Sequence, residues 1–191
     1  MKFEFEKSAV YPKDYPEKLL PEVGIVGRSN SGKSSLVNAW TGMKIAKVSG
    51  QPGKTRLLNF FRASDKYRLV DMPGYGFAKR AGKEKKLWEE MIETYVSVRS
   101  NLRGLLLIMD IRREWEPEEE MIVRWAQANF KSVYVVLNKA DKVNQSQKYK
   151  AIKGVETLGI VPFVVSAKTK KGVEELIQSV WAEWVAAPPK N

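Results

Sequence analysis

Gly27-Arg28-Ser29-Asn30-Ser31-Gly32-Lys33-Ser34 fits the spacing G-x-x-x-x-G-K-[ST], and its reading decides the fold. It stands between a short apolar run at 23–26 and a segment from Lys33 to about Trp40 that reads as a helix. That strand–loop–helix setting is the one this spacing requires. Backbone N–H groups at a helix start point at anionic oxygens, and the helix dipole adds to the attraction. Gly27 and Gly32 let the backbone turn and approach closely. Lys33 is placed to reach β- and γ-phosphates, and the Ser34 hydroxyl can ligate magnesium. Arg28, Ser29, Asn30 and Ser31 complete the cradle.

Outward from this loop, residues 57–62 and 66–71 are strand-like runs whose spacing suggests a hairpin. Gly74, Gly76 and Gly82 mark a loop before a long helix with Leu87, Met91, Tyr95 and Val98 at helical spacing. Strands at 104–109, 132–137 and 162–165 then alternate with helices at 116–129, 146–158 and 173–185. This order predicts an α/β domain: a mostly parallel sheet, doubly wound in three layers, with one antiparallel strand from the hairpin. Residues 1–21, with three prolines, read as an extended lead-in; 22–187 form the domain and 188–191 a short tail.

A chain of 191 residues, 43% hydrophobic, suits one domain with a real core. There is no cysteine and no histidine. Disulfides, thiol catalysis and lipidated cysteines are excluded, and so is the commonest general base. Residues 1–6 contain no apolar stretch of signal-peptide type, and no run approaches the ~20 apolar residues that cross a membrane, so the chain reads as cytoplasmic. A net charge of +11 favours polyanionic partners.

Three further motifs follow in order. Asp71-Met72-Pro73-Gly74 matches D-x-x-G at the end of an apolar strand, where Asp71 would hold magnesium and the Gly74 N–H would meet the γ-phosphate. Asn138-Lys139-Ala140-Asp141 matches N-K-x-D after another buried strand. A carboxylate at Asp141 accepts from both N1–H and the exocyclic amine of guanine, a donor pair adenine lacks. Lys139 would lie against the base, and Asn138 would tie its loop to the phosphate loop. Val165-Ser166-Ala167 leads into Lys168 after the next strand and resembles an S-A-K loop that contacts guanine O6 through backbone N–H. Between the first helix and the hairpin, Gly53, Lys54, Thr55, Arg56 and Leu57 form a loop whose Thr55 can ligate magnesium and sense the γ-phosphate. Lys33, Thr55 and Gly74 are the candidate catalytic positions; Ser34, Thr55 and Asp71 are the candidate metal ligands.

These motifs resemble the translation-factor-like class of P-loop GTPases. More narrowly, the chain resembles the EngB family of bacterial GTPases. The residues that carry the likeness are the loop at 27–35, Pro52 to Thr55, Leu58 to Phe60, Asp71 to Ala78, Met109 to Arg112 and Asn138 to Asp141. The resemblance implies a six-stranded Ras-like domain with about five helices, dependence on Mg2+, and GTP or GDP as ligand. It also implies a role in assembling the large ribosomal subunit, needed for normal division and septation. A monomer is expected.

Ras-type hydrolases place a glutamine after the D-x-x-G glycine to orient the attacking water; here the position is Tyr75. Slow turnover in isolation is therefore expected, with a partner or bound cation completing the site. Asn30 either coordinates potassium against the phosphates or braces the loop.

Basic residues crowd three places: Lys44, Lys47, Lys54 and Arg56; Lys79, Arg80, Lys83, Lys85 and Lys86; and Lys168, Lys170 and Lys171. Two of these lie on segments expected to follow nucleotide state, which suggests an RNA-binding face ordered by GTP; the alternative is a solvated lysine surface. Trp181 and Trp184, with Leu176, Ile177 and Val180, read as core packing, as do Trp88, Trp115 and Trp125. Two alternatives stand beside a GTP-switched assembly factor: a self-sufficient GTPase, and a regulator of division proteins that does not bind RNA.

Overall fold

The computed structural model describes residues 1–44, 57–76 and 82–187. The expectations at Gly53, Lys54, Thr55 and Arg56, at Lys47, Lys79 and Arg80, for the Lys83 side chain, and for the tail at 188–191 lie outside the described residues.

The strands are β1 (Phe3–Ala9), β2 (Glu22–Gly27), β3 (Leu58–Ala63), β4 (Tyr67–Asp71), β5 (Leu102–Asp110), β6 (Ser132–Asn138) and β7 (Phe163–Val164). The helices are α1 (Lys33–Thr41), α2 (Gly82–Val98), α3 (Pro117–Ala128), α4 (Gln145–Glu156) and α5 (Val173–Val180). One sheet takes the order β1-β3-β4-β2-β5-β6-β7. β2 pairs in parallel with β4 and β5, β5 with β6, and β6 with β7. β3 alone runs the other way, between β1 and β4.

The sheet thus has seven strands, not the six implied by the resemblance. The seventh is β1, inside the lead-in, paired from Phe3↔Ala63 to Ala9↔Leu58. Its Phe3 and Phe5, two residues apart, share one face of the strand: Phe3 is buried against Tyr67, while Phe5 stays exposed beside Phe61. Downstream, Tyr15 packs on Phe60 and Tyr95, and Arg68 of β4 holds Glu6 at 2.7 Å and the Glu17 carbonyl at 2.8 Å.

Both faces of the sheet are covered. Along β5, Leu105, Leu107 and Met109 point into the layer of α2 and α3, while Leu106 and Ile108 point into the layer of α1 and α5. This period-2 division of a continuous apolar run is what a parallel strand buried on both faces produces. On α2, the expected stripe is rotated. Leu87 and Val98 are exposed, and the buried residues are Trp88, Ile92, Tyr95 and Val96. Both stripes pass through Tyr95, and the phase that buries a tryptophan and an isoleucine wins on apolar area. Trp184 is buried, Trp115 and Trp125 are partly buried, and Trp181 sets its ring edge against Tyr67 in a wider π-type turn, Trp181–Val185.

At the N-terminal end of the sheet, fully buried Glu22 accepts from Arg99 Nε at 2.9 Å and from the Tyr95 hydroxyl at 2.7 Å. Removing one partner of such a buried pair costs about 3–5 kcal/mol. The opposite end, where β2, β4, β5, β6 and β7 finish, is left to loops.

Candidate nucleotide-binding site

At that C-terminal end, β2 runs through Gly27 into the loop that starts α1. A side chain at Gly27 would collide with the Ile108 carbonyl of β5, so glycine lets the loop lie flat on the sheet edge. Gly32 has φ +88°, and a side chain there would collide with the Asn138 amide. Asn30 has φ +64° and is exposed. The Ser31 N–H donates to the Arg28 carbonyl at 3.0 Å, which closes the turn. The first bond of α1, from Leu36 N–H to the Gly32 carbonyl, spans 2.9 Å. The N–H groups of Lys33, Ser34 and Ser35 therefore have no intrahelical acceptor and are free for an anion. Lys33 Nζ pairs with the Asp71 carboxylate across this space, both side chains nearly buried.

The Asp71–Gly74 segment is stitched to the loop. Ser29 N–H donates to the Tyr75 carbonyl at 2.8 Å, and Tyr75 N–H to the Gly27 carbonyl at 3.3 Å. A Cβ on Gly74 would stand 3.1 Å from that same Gly27 oxygen. The Pro73 carbonyl accepts from Trp88 Nε1 at 2.7 Å. The Met72 side chain is fully buried against Gly24, so only its backbone can face a ligand.

At the other end of the loop, Asn138 bridges two segments. Its Nδ2 donates to the Ser31 carbonyl at 3.0 Å, and its Oδ1 accepts from Ala167 N–H at 3.1 Å. Lys139, at φ +66°, reaches back to the Asn30 carbonyl at 2.5 Å and to Asp110 at 3.0 Å. The Ser166 hydroxyl donates to Asp141 at 2.7 Å and holds that exposed carboxyl below its ordinary pKa. Ala140 N–H donates to the Val165 carbonyl at 3.1 Å, while the Val165 side chain is in the core. Leu57 lies exposed just ahead of β3. The four loops thus meet at one edge: an amide-rich anion site at one end, a fixed carboxylate at the other.

The sequence reading gave no role to Glu116, Glu119, Asp110 or Arg112. Arg28 pairs with Glu116 at the start of α3. Glu119 accepts from the Tyr75 hydroxyl at 2.6 Å and from Glu116 N–H at 3.0 Å. Asp110 is gripped by Arg112 Nε and Nη2, at 2.9 and 2.7 Å, and by Lys139. Burial would raise the Asp110 pKa, but these bonds outweigh it and hold the carboxyl well below the usual range. The signal was present in E-x-x-E at 116–119, a capping-box spacing, with Pro117 at the first turn.

Tyr75 therefore faces inward. Its ring lies 5.6 Å from that of Trp88, and its hydroxyl serves Glu119 beneath the loop. Burial raises its pKa far above the ordinary phenol value. A Tyr75→Phe protein should lose about 1–3 kcal/mol of unfolding free energy, because the buried Glu119 carboxylate loses a donor. Its GTP turnover should stay within about twofold of the parent, since the hydroxyl is committed to Glu119. Chemical denaturation and single-turnover hydrolysis check the two halves.

The basic clusters divide. Lys85 sits near Glu118 and Glu89, at 3.5 and 3.9 Å, and Lys86 near Glu90 at 3.8 Å. Lys168, Lys170 and Lys171 are exposed and, among the described residues, have no carboxylate at ion-pair distance. Among the described residues no helix is long and apolar enough to cross a membrane.

Known proteins share this arrangement. A family model described as "50S ribosome-binding GTPase" matches residues 22–139. A probable GTP-binding protein EngB of Bdellovibrio bacteriovorus is 49% identical over 184 residues, covering 95% of this chain and 92% of that protein. One from Alkaliphilus metalliredigens is 43% identical over 175 residues, 88% of this chain and 84% of that one. A crystal structure of a probable GTP-binding protein engB superposes with a TM-score of 0.69 at 23% identity, covering 84% of this chain and 97% of that chain, and so agrees in fold. With relatives this similar over nearly its whole length, and with a phosphate loop and a guanine-type carboxylate loop meeting at one sheet edge, the chain belongs to the EngB family of GTP-binding proteins and is a P-loop GTPase.

Proposed function

We propose that this protein is a GTP-operated switch that acts in assembly of the large ribosomal subunit. The observation that carries the guanine-switch part is the Asn138 bridge, which couples the phosphate loop to the loop that fixes Asp141. The ribosomal part is supported by the description of the matching family model and by a net charge of +11. In this reading Lys33, Ser34 and the amides of residues 27–34 hold the phosphates, Gly74 meets the γ-phosphate, and Asp141 and Ala167 select guanine. The Ala167 N–H is then shared between Asn138 and the base.

A magnesium ion suits the donors present. The Asp71 carboxylate and Ser34 hydroxyl are hard oxygen ligands beside the phosphate loop. Among the described residues no group of three acidic side chains could hold a cation alone, so the nucleotide's oxygens would complete the shell. When bound, the ion would neutralise charge on the β- and γ-phosphates. Thr55 would join as the third protein ligand and report the γ-phosphate. The division and septation role then follows from ribosome supply.

Turnover is proposed to be slow in isolation, because Tyr75, which follows the D-x-x-G glycine, is committed to Glu119. Exposed Asn30 is proposed to seat potassium against the phosphates. Multiple-turnover hydrolysis should rise roughly tenfold or more when large subunits are added, and again when potassium replaces sodium. Equal rates with and without subunits would instead make the protein a self-sufficient GTPase. Equal rates in the two salts would remove the potassium site.

A further inference from the structure

The end of the sheet opposite the phosphate loop carries a second concentration of positive charge. β5 spans nine residues, so the two ends are about 30 Å apart. Gly104 pairs with Ser132, which sets Arg103 beside Lys131 where β5 and β6 begin. Lys18 joins them from the lead-in, its Nζ donating to the Val98 carbonyl at the end of α2, 2.9 Å away. Burial lowers the Lys131 pKa, and the charges of Arg103 and Lys18 lower it further, so the three cations share one field. Among the described residues none of the three has a carboxylate within ion-pairing distance, and Arg103 Nε is buried with no hydrogen-bond partner. Neighbouring Arg68 and Arg99, by contrast, are neutralised by Glu6 and Glu22. The fold keeps acids for two arginines here and leaves three cations open.

Phe130 stands at the same edge, in a conformation that caps a helix but that a bulky residue does not favour. Helix α3 ends in a Schellman motif: Phe130 N–H donates to the Gln127 carbonyl at 3.0 Å and Lys131 N–H to the Ala126 carbonyl at 2.8 Å. The C′ position of this motif is left-handed and is usually glycine. Here it is Phe130 at φ +55°, with its side chain 97% exposed. A bulky residue is strained there, and an exposed ring buries no apolar surface in return. A strained, solvent-facing aromatic beside uncompensated cations has the make-up of a platform for an unstacked base flanked by phosphate contacts.

We propose that Phe130, Arg103, Lys131 and Lys18 form a contact site for single-stranded RNA, with a base stacked on Phe130 and its flanking phosphates on the three cations. The site rests on the ribosomal reading above and deepens it: it is remote from the nucleotide, so it would hold RNA in either nucleotide state.

The test uses the full chain and a fluorescent mixed-sequence RNA 10-mer, read by anisotropy across a salt series. Purified large subunits are pelleted in parallel. Phe130→Gly should weaken 10-mer binding about tenfold while leaving the thermal midpoint unchanged or higher, because glycine relieves the left-handed strain. Arg103→Ala with Lys131→Ala should lower the salt slope by about 1.4, the change expected for two single-strand phosphate contacts. GDP binding should be unchanged in both. If the 10-mer binds and both variants match the parent, the site is wrong while the RNA reading stands. If the variants lose subunit binding but keep the 10-mer, the patch meets a ribosomal protein and the proposal is overturned. If the parent binds neither 10-mer nor subunits, the ribosomal reading itself has failed.

Discussion

Asp141→Asn should cost the protein its preference for guanine. The Asp141 carboxylate is fixed by the Ser166 hydroxyl at 2.7 Å, and that bond helps keep it ionised. An ionised carboxylate can accept two charge-assisted bonds from the guanine edge, each worth about 1.5–3 kcal/mol. Asparagine turns one acceptor into a donor that faces the exocyclic amine of guanine, so GDP affinity should fall about 10^2- to 10^3-fold. The new N–H groups suit a base with a carbonyl where guanine carries its amine. Xanthosine diphosphate should therefore gain on GDP and become the preferred ligand. Because Asp141 is exposed, and because Ser166 can still donate to the asparagine oxygen, the thermal midpoint should barely move. Titrations of the parent and variant with the two diphosphates check both the loss and the gain.

Lys33→Ala should have the second large effect, and it should appear in both stability and binding. Lys33 and Asp71 form an ion pair in which neither side chain is more than a tenth exposed. Removing the ammonium strands a nearly buried carboxylate, at a cost of about 3 kcal/mol. Removing it also deprives the β- and γ-phosphates of their only proposed side-chain cation, so GTP affinity should fall by about 10^2-fold or more. Adding Asp71→Asn to Lys33→Ala separates the two. The double variant should regain most of the lost stability, since no unpaired charge remains. It should not regain nucleotide affinity. Recovery of affinity together with stability would show that Lys33 acts only on the fold.

The sequence was most legible where function constrains spacing. The phosphate loop had to join a strand to a helix, and it joins β2 to α1. N-K-x-D had to follow a buried strand, and Asn138 closes β6. It was less legible where tertiary packing chooses among locally equal options. The alternation Phe3, Phe5, with charges between, is a strand pattern, but nothing local says that β3 offers a free edge to receive it. On α2, two apolar stripes overlap at Tyr95, and only the shape of the sheet decides that Trp88 turns inward and Leu87 outward. The contacts of Tyr75 were invisible for the same reason. Its partner Glu119 is 44 residues away and reads in sequence as one of several acids in a helix's first turn. The unneutralised cations at Lys18, Arg103 and Lys131 come from three separate segments, and only the sheet brings them to one edge.

The measurement that tests the account most directly is co-sedimentation of the full chain with purified large-subunit particles, in parallel with magnesium and GDP, with magnesium and a non-hydrolysable GTP analogue, and with ATP. The account predicts tight pelleting with the GTP analogue, weaker pelleting with GDP, and no promotion of pelleting by ATP, with all binding reduced by added salt. Pelleting that is the same in every nucleotide and unaffected by salt would contradict it.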